Sequence, residues 1–337
     1  MKSFNRFLGF SALILVILMI TSFMIAFSYT VSHPDLFDSF HISFSDSFNW
    51  NINNHKSSDY ETIVEAKNFT TDNVISTISI NSDFTEIIFI EEDRSDILVE
   101  QYLEKPNTSA YRTSYDVSVD DDELKIISSQ SIFNIMLDRD YENKITIHVP
   151  NNVHFTTLDI KSALKEITKE SILSNVDNIY IDDNIGRVTI DITSPKEVVK
   201  VTSDIGSITI TGSSNISTLD LTSNLDSIYL DFDGNIDYLY MESDLGSINA
   251  IITGAIQAGN IVTDIGKVVL RFGSDIGSLD VTTSVGNIDL YMRENFSTYA
   301  QSDTGRVESD FPLGSKGSEN IITIESDTGS ISINAIE

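Results

Sequence analysis

Residues Ser203 to Ile210 read "SDIGSITI", and that pattern returns with small changes about every twenty residues through the second half of the chain. With its glycine taken as position zero, the slot is filled by Gly186, Gly206, Asp226, Gly246, Gly266, Gly286, Gly305 and Gly329. The step is 20 residues as far as Gly286, then 19 and 24. Two earlier segments fit the same template with a substituted slot: "STISINSDFTEIIFI" around Thr85 and "TLDIKSALKEIT" around Lys165. The repeat is therefore expected to begin before residue 80.

Within a repeat the apolar residues fall at −7, −5, −1, +2 and +4. In one copy these are Val199, Val201, Ile205, Ile208 and Ile210, and in another Leu239, Met241, Leu245, Ile248 and Ala250. A further one recurs at −10, as Val176, Ile216, Ile236, Ile256 and Ile276. Strand side chains alternate between faces, so the parity predicts −7, −5 and −1 on one buried face, a register shift at the turn, and +2 and +4 on the next. Each repeat reads as two short strands joined by a tight corner, with a loop such as "TGSSNIST" leading onward.

Twenty residues bury too little apolar surface to offset the entropy of ordering their backbone, so the copies must stack and share a core. The expected fold is all-β: a β-solenoid, or closely related stacked β-sheets, with rungs of about 20 residues behind a single N-terminal transmembrane helix. At about 4.8 Å per rung, the copies from Lys165 to Gly329 build a column about 40 Å long. The expected organisation is an anchor over 1–28, a tether over 29–59, a less regular strand region over 60–164 and the regular solenoid over 165–337. In the less regular part, "DILVEQYL", "SYDVSVDDDELKIISS" and "KITIHVPNNVHFTTLDIKS" read as strands with turns at "VDDDE" and "PNN". The acidic run Asp120 to Glu123 is read as a solvated hairpin tip in preference to a cation site.

The early "ISINSDFTEIIFI", the middle "DDDELKI", the segment "KITIHVPNNVHFTTLDIKSALKEIT" and the "SDIGSITI" copies together resemble the adhesin-type family of β-strand repeat proteins whose unit is called the toastrack domain. The resemblance covers roughly residues 60 to 337, and the "IHVP" strand is its most specific element. It implies a stacked β architecture, often behind a membrane segment at the cell surface. It implies no catalytic residues to carry over. Lys165 and Asp226 depart from the pattern at the glycine slot.

Acidic residues outnumber basic ones 51 to 21, a net charge of −30, which disfavours nucleic acid and anionic lipid as partners. There is no cysteine, so disulfides, thiolate metal sites and cysteine nucleophiles are excluded. Phe7 to Phe27 carries no charged residue and follows Lys2 and Arg6. That length suits a bilayer span better than a signal-peptide core. The alternative is cleavage after Ser28. As an anchor it would place the N-terminus in the cytoplasm and the remainder outside, in a single-pass membrane protein. Period-two aromatics between Phe40 and Ile52 read as an edge strand or tether, with the lipid interface as the alternative.

Two residues before the slot stand Asn184, Asp204, Asn224, Asp244, Asp264, Ser284, Asp303 and Asp327. In register they form a column. Its aspartates, Asp204, Asp244, Asp264, Asp303 and Asp327, are the calcium candidates, since carboxylates one rung apart can share an ion that takes six to eight oxygens. The competing reading is that Asp, Asn and Ser are turn formers accepting nearby N–H groups, with glycine supplying a positive φ. Carboxylates about 4.8 Å apart in water repel by only about 0.9 kcal/mol, so the column demands no ion. The turn-former reading is preferred, and no cofactor is required.

The five histidines, His33, His41, His55, His148 and His154, precede the regular copies without metal-ligand spacing. No Lys or Arg occurs between Lys200 and Lys267, which leaves no basic cleft for an acidic sugar. The expected function is that of a non-enzymatic cell-surface β-repeat protein, an adhesin-like or envelope-scaffold binding module whose partner is a protein or envelope polymer. The alternatives are an envelope-sensing partner of a membrane signalling system and a carbohydrate-active solenoid enzyme.

Overall fold

Branched aliphatic residues alternating with Thr, Ser and Asp favour extended backbone with one buried face, and the repeats take that form as a β-solenoid. The computed structural model describes residues 60–70, 75–106, 113–130, 142–163, 165–168, 172–293, 296–315 and 321–336. The expected membrane span and the aromatic tract 40–52 lie outside them. No helix among the described residues is long and apolar enough to cross a membrane.

In chain order the first strands are β1 (Tyr60–Thr70), β2 (Thr77–Asp83), β3 (Glu86–Glu92), β4 (Asp96–Pro106), β5 (Thr113–Asp120), β6 (Glu123–Gln130), β7 (Glu142–Pro150) and β8 (Phe155–Ala163). The regular rungs each pair a longer strand with a shorter one: β9 (Val176–Ile185) with β10 (Val188–Ile192), β11 (Lys196–Ile205) with β12 (Ile208–Gly212), β13 (Ile216–Ser223) with β14 (Ile228–Phe232), and β15 (Ile236–Ser243) with β16 (Ile248–Ile252). They continue through β17 (Ile256–Ile265) with β18 (Val268–Phe272), β19 (Ile276–Val285) with β20 (Ile288–Met292), β21 (Thr298–Thr304) with β22 (Val307–Ser309), and β23 (Ile322–Thr328) with β24 (Ile331–Ala335).

The longer strands form a 12-stranded sheet in the order β21-β23-β19-β17-β15-β13-β11-β9-β8-β2-β6-β5. The shorter ones form an eight-stranded sheet, β10-β12-β14-β16-β18-β20-β24-β22, and β1-β4-β7-β3 make a separate four-stranded sheet. Strands of neighbouring repeats pair parallel with matching slots, as in Val199↔Leu219 and Ile210↔Leu230. The substituted early copies belong to the same column, since β2 pairs parallel with β8 and β8 with β9. The acidic run is a hairpin tip, as read: β5 and β6 pair antiparallel around Asp121 and Asp122, and Lys125 Nζ bridges Asp120 and Glu123 at 3.1 and 3.2 Å.

Spatial order departs from chain order at both ends. β23 pairs with both β19 and β21, and β24 with both β20 and β22, so the final rung is inserted beneath the one that precedes it in sequence. At the other end β2 lies between β8 and β6.

The interior is mainly aliphatic, with Phe155, Phe232 and Phe272 also fully buried. Val199, Val201, Ile208 and Ile210, and Leu239, Met241, Ile248 and Ala250, are each 0 % exposed, and Ile216, Ile236, Ile256 and Ile276 are buried at the −10 position. Position −1 corrects the sequence reading. Ile205, expected in the core, is 46 % exposed, and Leu245 is only half-buried. Alternation holds inward as far as Ser203 at −3; the chain then bends, and Asp204 and Ile205 both face outward.

Candidate functional site: the corner columns

Each corner brings three kinds of side chain into adjacent columns. At −2 the calcium candidates Asp204, Asp244, Asp264, Asp303 and Asp327 are all exposed. Ladder register sets Asp244 beside Asp264 and Asp303 beside Asp327. Asp204 is relieved by a neighbour, since Asn224 Nδ2 donates to its Oδ1 at 2.9 Å. Asp244 has its pKa raised, by partial burial first and then by Asp264 and Glu242. Among the described residues no group of three or more His, Cys, Asp or Glu side chains is placed to hold a metal.

At −3 runs a column that the sequence reading passed over, although it begins with the first letter of the quoted motif. Ser128, Ser82, Ser162, Asp183, Ser203, Ser223, Ser243, Thr263, Thr283 and Ser326 follow one another through the ladder, all buried. Their regular job is local. Ser223 Oγ donates to Gly206 O at 3.3 Å, Ser243 Oγ to Asp226 O at 3.2 Å and Thr263 Oγ1 to Gly246 O at 3.2 Å. Each of these three hydroxyls thus satisfies the carbonyl of a slot residue one rung below. At the far end Asn143 Nδ2 donates to Thr85 Oγ1 at 2.6 Å and to Ser128 Oγ at 3.2 Å.

Asp183 is the exception in that column. It is 0 % exposed and neither carboxylate oxygen has a hydrogen-bond partner; the hydroxyls of Ser162 and Ser203 in the adjoining rungs are also unpartnered, as are those of Ser82 and Thr283 farther along the column. Burial pushes its pKa up to about 7, with smaller contributions from Asp182 and Asp204; Ser162 is near enough to oppose the shift but lies outside hydrogen-bond geometry. A Cβ at Gly186 would meet Asp183 Oδ2 at 2.7 Å and Lys165 O at 2.5 Å, so glycine makes room for the buried carboxylate.

The slot glycines are chosen for proximity. A Cβ at Gly266 would lie 2.0 Å from Gly246 O, and one at Gly286 1.8 Å from Gly266 O. Positive φ, the reason expected from sequence, holds at two of them, Gly206 at 159° and Gly329 at 151°. Where Asp226 takes the slot, its N–H donates to Ser223 Oγ at 3.3 Å, as Gly246 N–H does to Ser243 Oγ at 2.9 Å in the next rung, and both β13 and β15 end at −3.

At −1 stand Ile185, Ile205, Leu225, Leu245, Ile265 and Val285, one per rung. Ile185, Ile205, Leu225 and Val285 are 40, 46, 45 and 44 % exposed, and Leu245 and Ile265 are half-buried. The result is an outward aliphatic ridge bordered by the acidic column.

Two other constellations were not legible beforehand. Lys196 occupies the otherwise apolar −10 column, with Nζ donating to Ser174 O and Ser194 Oγ at 2.7 Å each, and burial lowers its pKa to about 8. It lines an open groove of about 520 Å³ with Asn215, Asn235 and Gln257. His148 lies between Glu92 and Glu100, at 2.9 and 3.3 Å, and His154 contacts Asp177 at 2.8 Å.

Among solved structures the chain is similar to a "putative adhesin" from Parabacteroides merdae at 9 % identity, covering 80 % of this chain and 96 % of that one with a TM-score of 0.41. It is similar to a "putative lipid binding protein" from Parabacteroides distasonis at 12 % identity, with coverages of 80 and 97 % and a TM-score of 0.42. A "putative cell adhesion protein" from Clostridium sporogenes matches at 12 % identity, with coverages of 82 and 100 % and a TM-score of 0.24. No curated protein matches the chain. A family model, Toastrack DUF4097, matches residues 75–334, which takes in the strands of the column from β2 to all but the last residue of β24. The chain therefore belongs to the Toastrack DUF4097 family.

Proposed function

We propose that the protein is a non-enzymatic binding module, displayed outside the cell on an N-terminal anchor formed by Phe7 to Phe27, which works as an adhesin-like or envelope-scaffold element. One observation carries the reading: the same side-chain types recur in register, rung after rung, on the exposed corner. Such periodicity suits an extended partner met at many equivalent points, whereas catalysis needs one place unlike the rest. The buried aspartate that breaks the periodicity, Asp183, is sealed from solvent and out of a substrate's reach.

Binding of the purified chain to cell-envelope material, measured beside product release from a glycan panel, tests this. Saturable binding without released product is the expected result, and turnover of any glycan would replace the proposal with the carbohydrate-active reading. Protease cleavage of the 58–337 region from outside intact cells is expected if the N-terminal span is an uncleaved anchor and the N-terminus is cytoplasmic.

A further inference from the structure

The ridge at −1 is apolar and runs over six successive rungs, with Ile185, Ile205, Leu225 and Val285 outward-facing, and no strand of the described residues is paired over it. We propose that it docks a basic amphipathic α-helix of a partner protein, laid along the axis of the column. The proposal rests on the binding-module reading and names the partner's chemistry.

Spacing selects a helix. Rungs repeat at about 4.8 Å, so the five steps from Ile185 to Val285 span about 24 Å. A helical apolar stripe recurs every three or four residues, about 5.3 Å at 1.5 Å rise, and five such steps cover about 26 Å. An extended peptide presents one face every second residue, about 6.8 Å, and over five steps drifts about 10 Å out of phase. A helix of about 18 residues therefore stays in step along the ridge, and a strand does not.

Charge selects the sign. Over the central rungs, where Ile205, Leu225, Leu245 and Ile265 lie, Asp204, Asp244 and Asp264 stand exposed beside the ridge and the sequence holds no Lys or Arg between Lys200 and Lys267; Arg187 stands at one end, and Lys267, paired with Asp289, near the other. A flanking row of Lys or Arg on the helix meets that border. A second copy of this chain, itself at −30, is repelled. Four residues exposed by less than half give a small contact, so the expected affinity is that of a weak, transient interface.

The test measures fluorescence anisotropy of labelled 18-residue peptides on the full chain. The probes are a Leu/Lys helix with leucines at i, i+3, i+4 and i+7, its Leu/Glu counterpart, and a strictly alternating Leu/Lys peptide of equal charge. The Leu/Lys helix is expected to bind at least tenfold more tightly than either other peptide. I205S/L225S changes exposed side chains and keeps every charge, so it is expected to melt like the parent and to lose at least tenfold in helix binding. D244K/D264K is expected to shift the preference toward the Leu/Glu helix. Unchanged binding by I205S/L225S reduces the effect to bulk charge and overturns the proposal. So does equal binding of the helical and alternating peptides. Self-association abolished by I205S/L225S gives the ridge to a second copy, and ridge-dependent binding to phosphatidylcholine or phosphatidylglycerol vesicles gives it to lipid; each also overturns the helix. Envelope binding that persists in I205S/L225S sinks this docking site alone and leaves the binding-module reading in place.

Discussion

A carboxyl group stands at Asp183 where nine other positions of the buried column carry a hydroxyl. Its folded pKa, about 7, lies above its ordinary value of 3.8. The sign follows from linkage: between those values the unfolded chain has released a proton that the folded chain retains. The contribution of this one group is therefore full below about pH 4, falls as pH rises toward 7 and is level above, a loss on the order of 4 kcal/mol. Asp183→Ser restores the hydroxyl of the other rungs. Thermal melts are expected to show it more stable than the parent by roughly 2–4 kcal/mol at pH 8, with most of that gain gone at pH 4. A gain independent of pH would mean that the carboxyl is not neutral in the fold. The slot glycines obey a simpler constraint. In Gly266→Ala the new Cβ must displace backbone 2.0 Å away, so a loss of about 1–3 kcal/mol or more is expected, read as a lower denaturation midpoint.

Among the elements, the strands and their buried positions were legible because alternation survives wherever the chain is straight. Positions −7, −5, +2 and +4 follow it, and Val199, Val201, Ile208 and Ile210 are buried as read. Alternation fails where the chain bends, so Ile205 was assigned to the core by a parity that no longer applied. The inside of the corner admits only a small side chain, and the hydroxyl at −3 takes that place. Sequence showed the −3 signal plainly in Ser203, Ser223 and Ser243, but a serine beside an aspartate reads first as a turn. Spatial rung order could not be read at all, because the steps of 19 and 24 residues fit stacking in either order. Insertion of β23 and β24 has a measurable effect. Ile324, 0 % exposed, is expected to cost about 2–5 kcal/mol on mutation to Ala, whereas Val307, half-buried in the preceding rung, should cost clearly less. Comparable losses at both positions would argue against the inserted order.

For the whole molecule, the net charge of −30 acts against compaction, and added salt screens it. The melting temperature is expected to rise between about 0.01 and 0.2 M NaCl. Asp244 with Asp264, and Asp303 with Asp327, are adjacent pairs on an exposed edge, and among the described residues neither pair belongs to a group of three side chains placed to hold a metal. At fixed ionic strength a chelator is therefore expected to leave the melt unchanged, and a drop of several degrees would put calcium in the column.

The inserted rung also bears on the order in which the structure can be made. Residues 321–336 leave the ribosome after β22, yet their place is internal, with a neighbour on either side. Vectorial folding can proceed rung by rung only as far as β20. Beyond it the nascent chain must either hold β21 and β22 away from the growing stack or let them settle on β19 and β20 and be lifted off again. The slowest step of maturation is then expected at this end of the column, late in synthesis, and a chain halted before residue 321 would be left with a rung stacked one place too low.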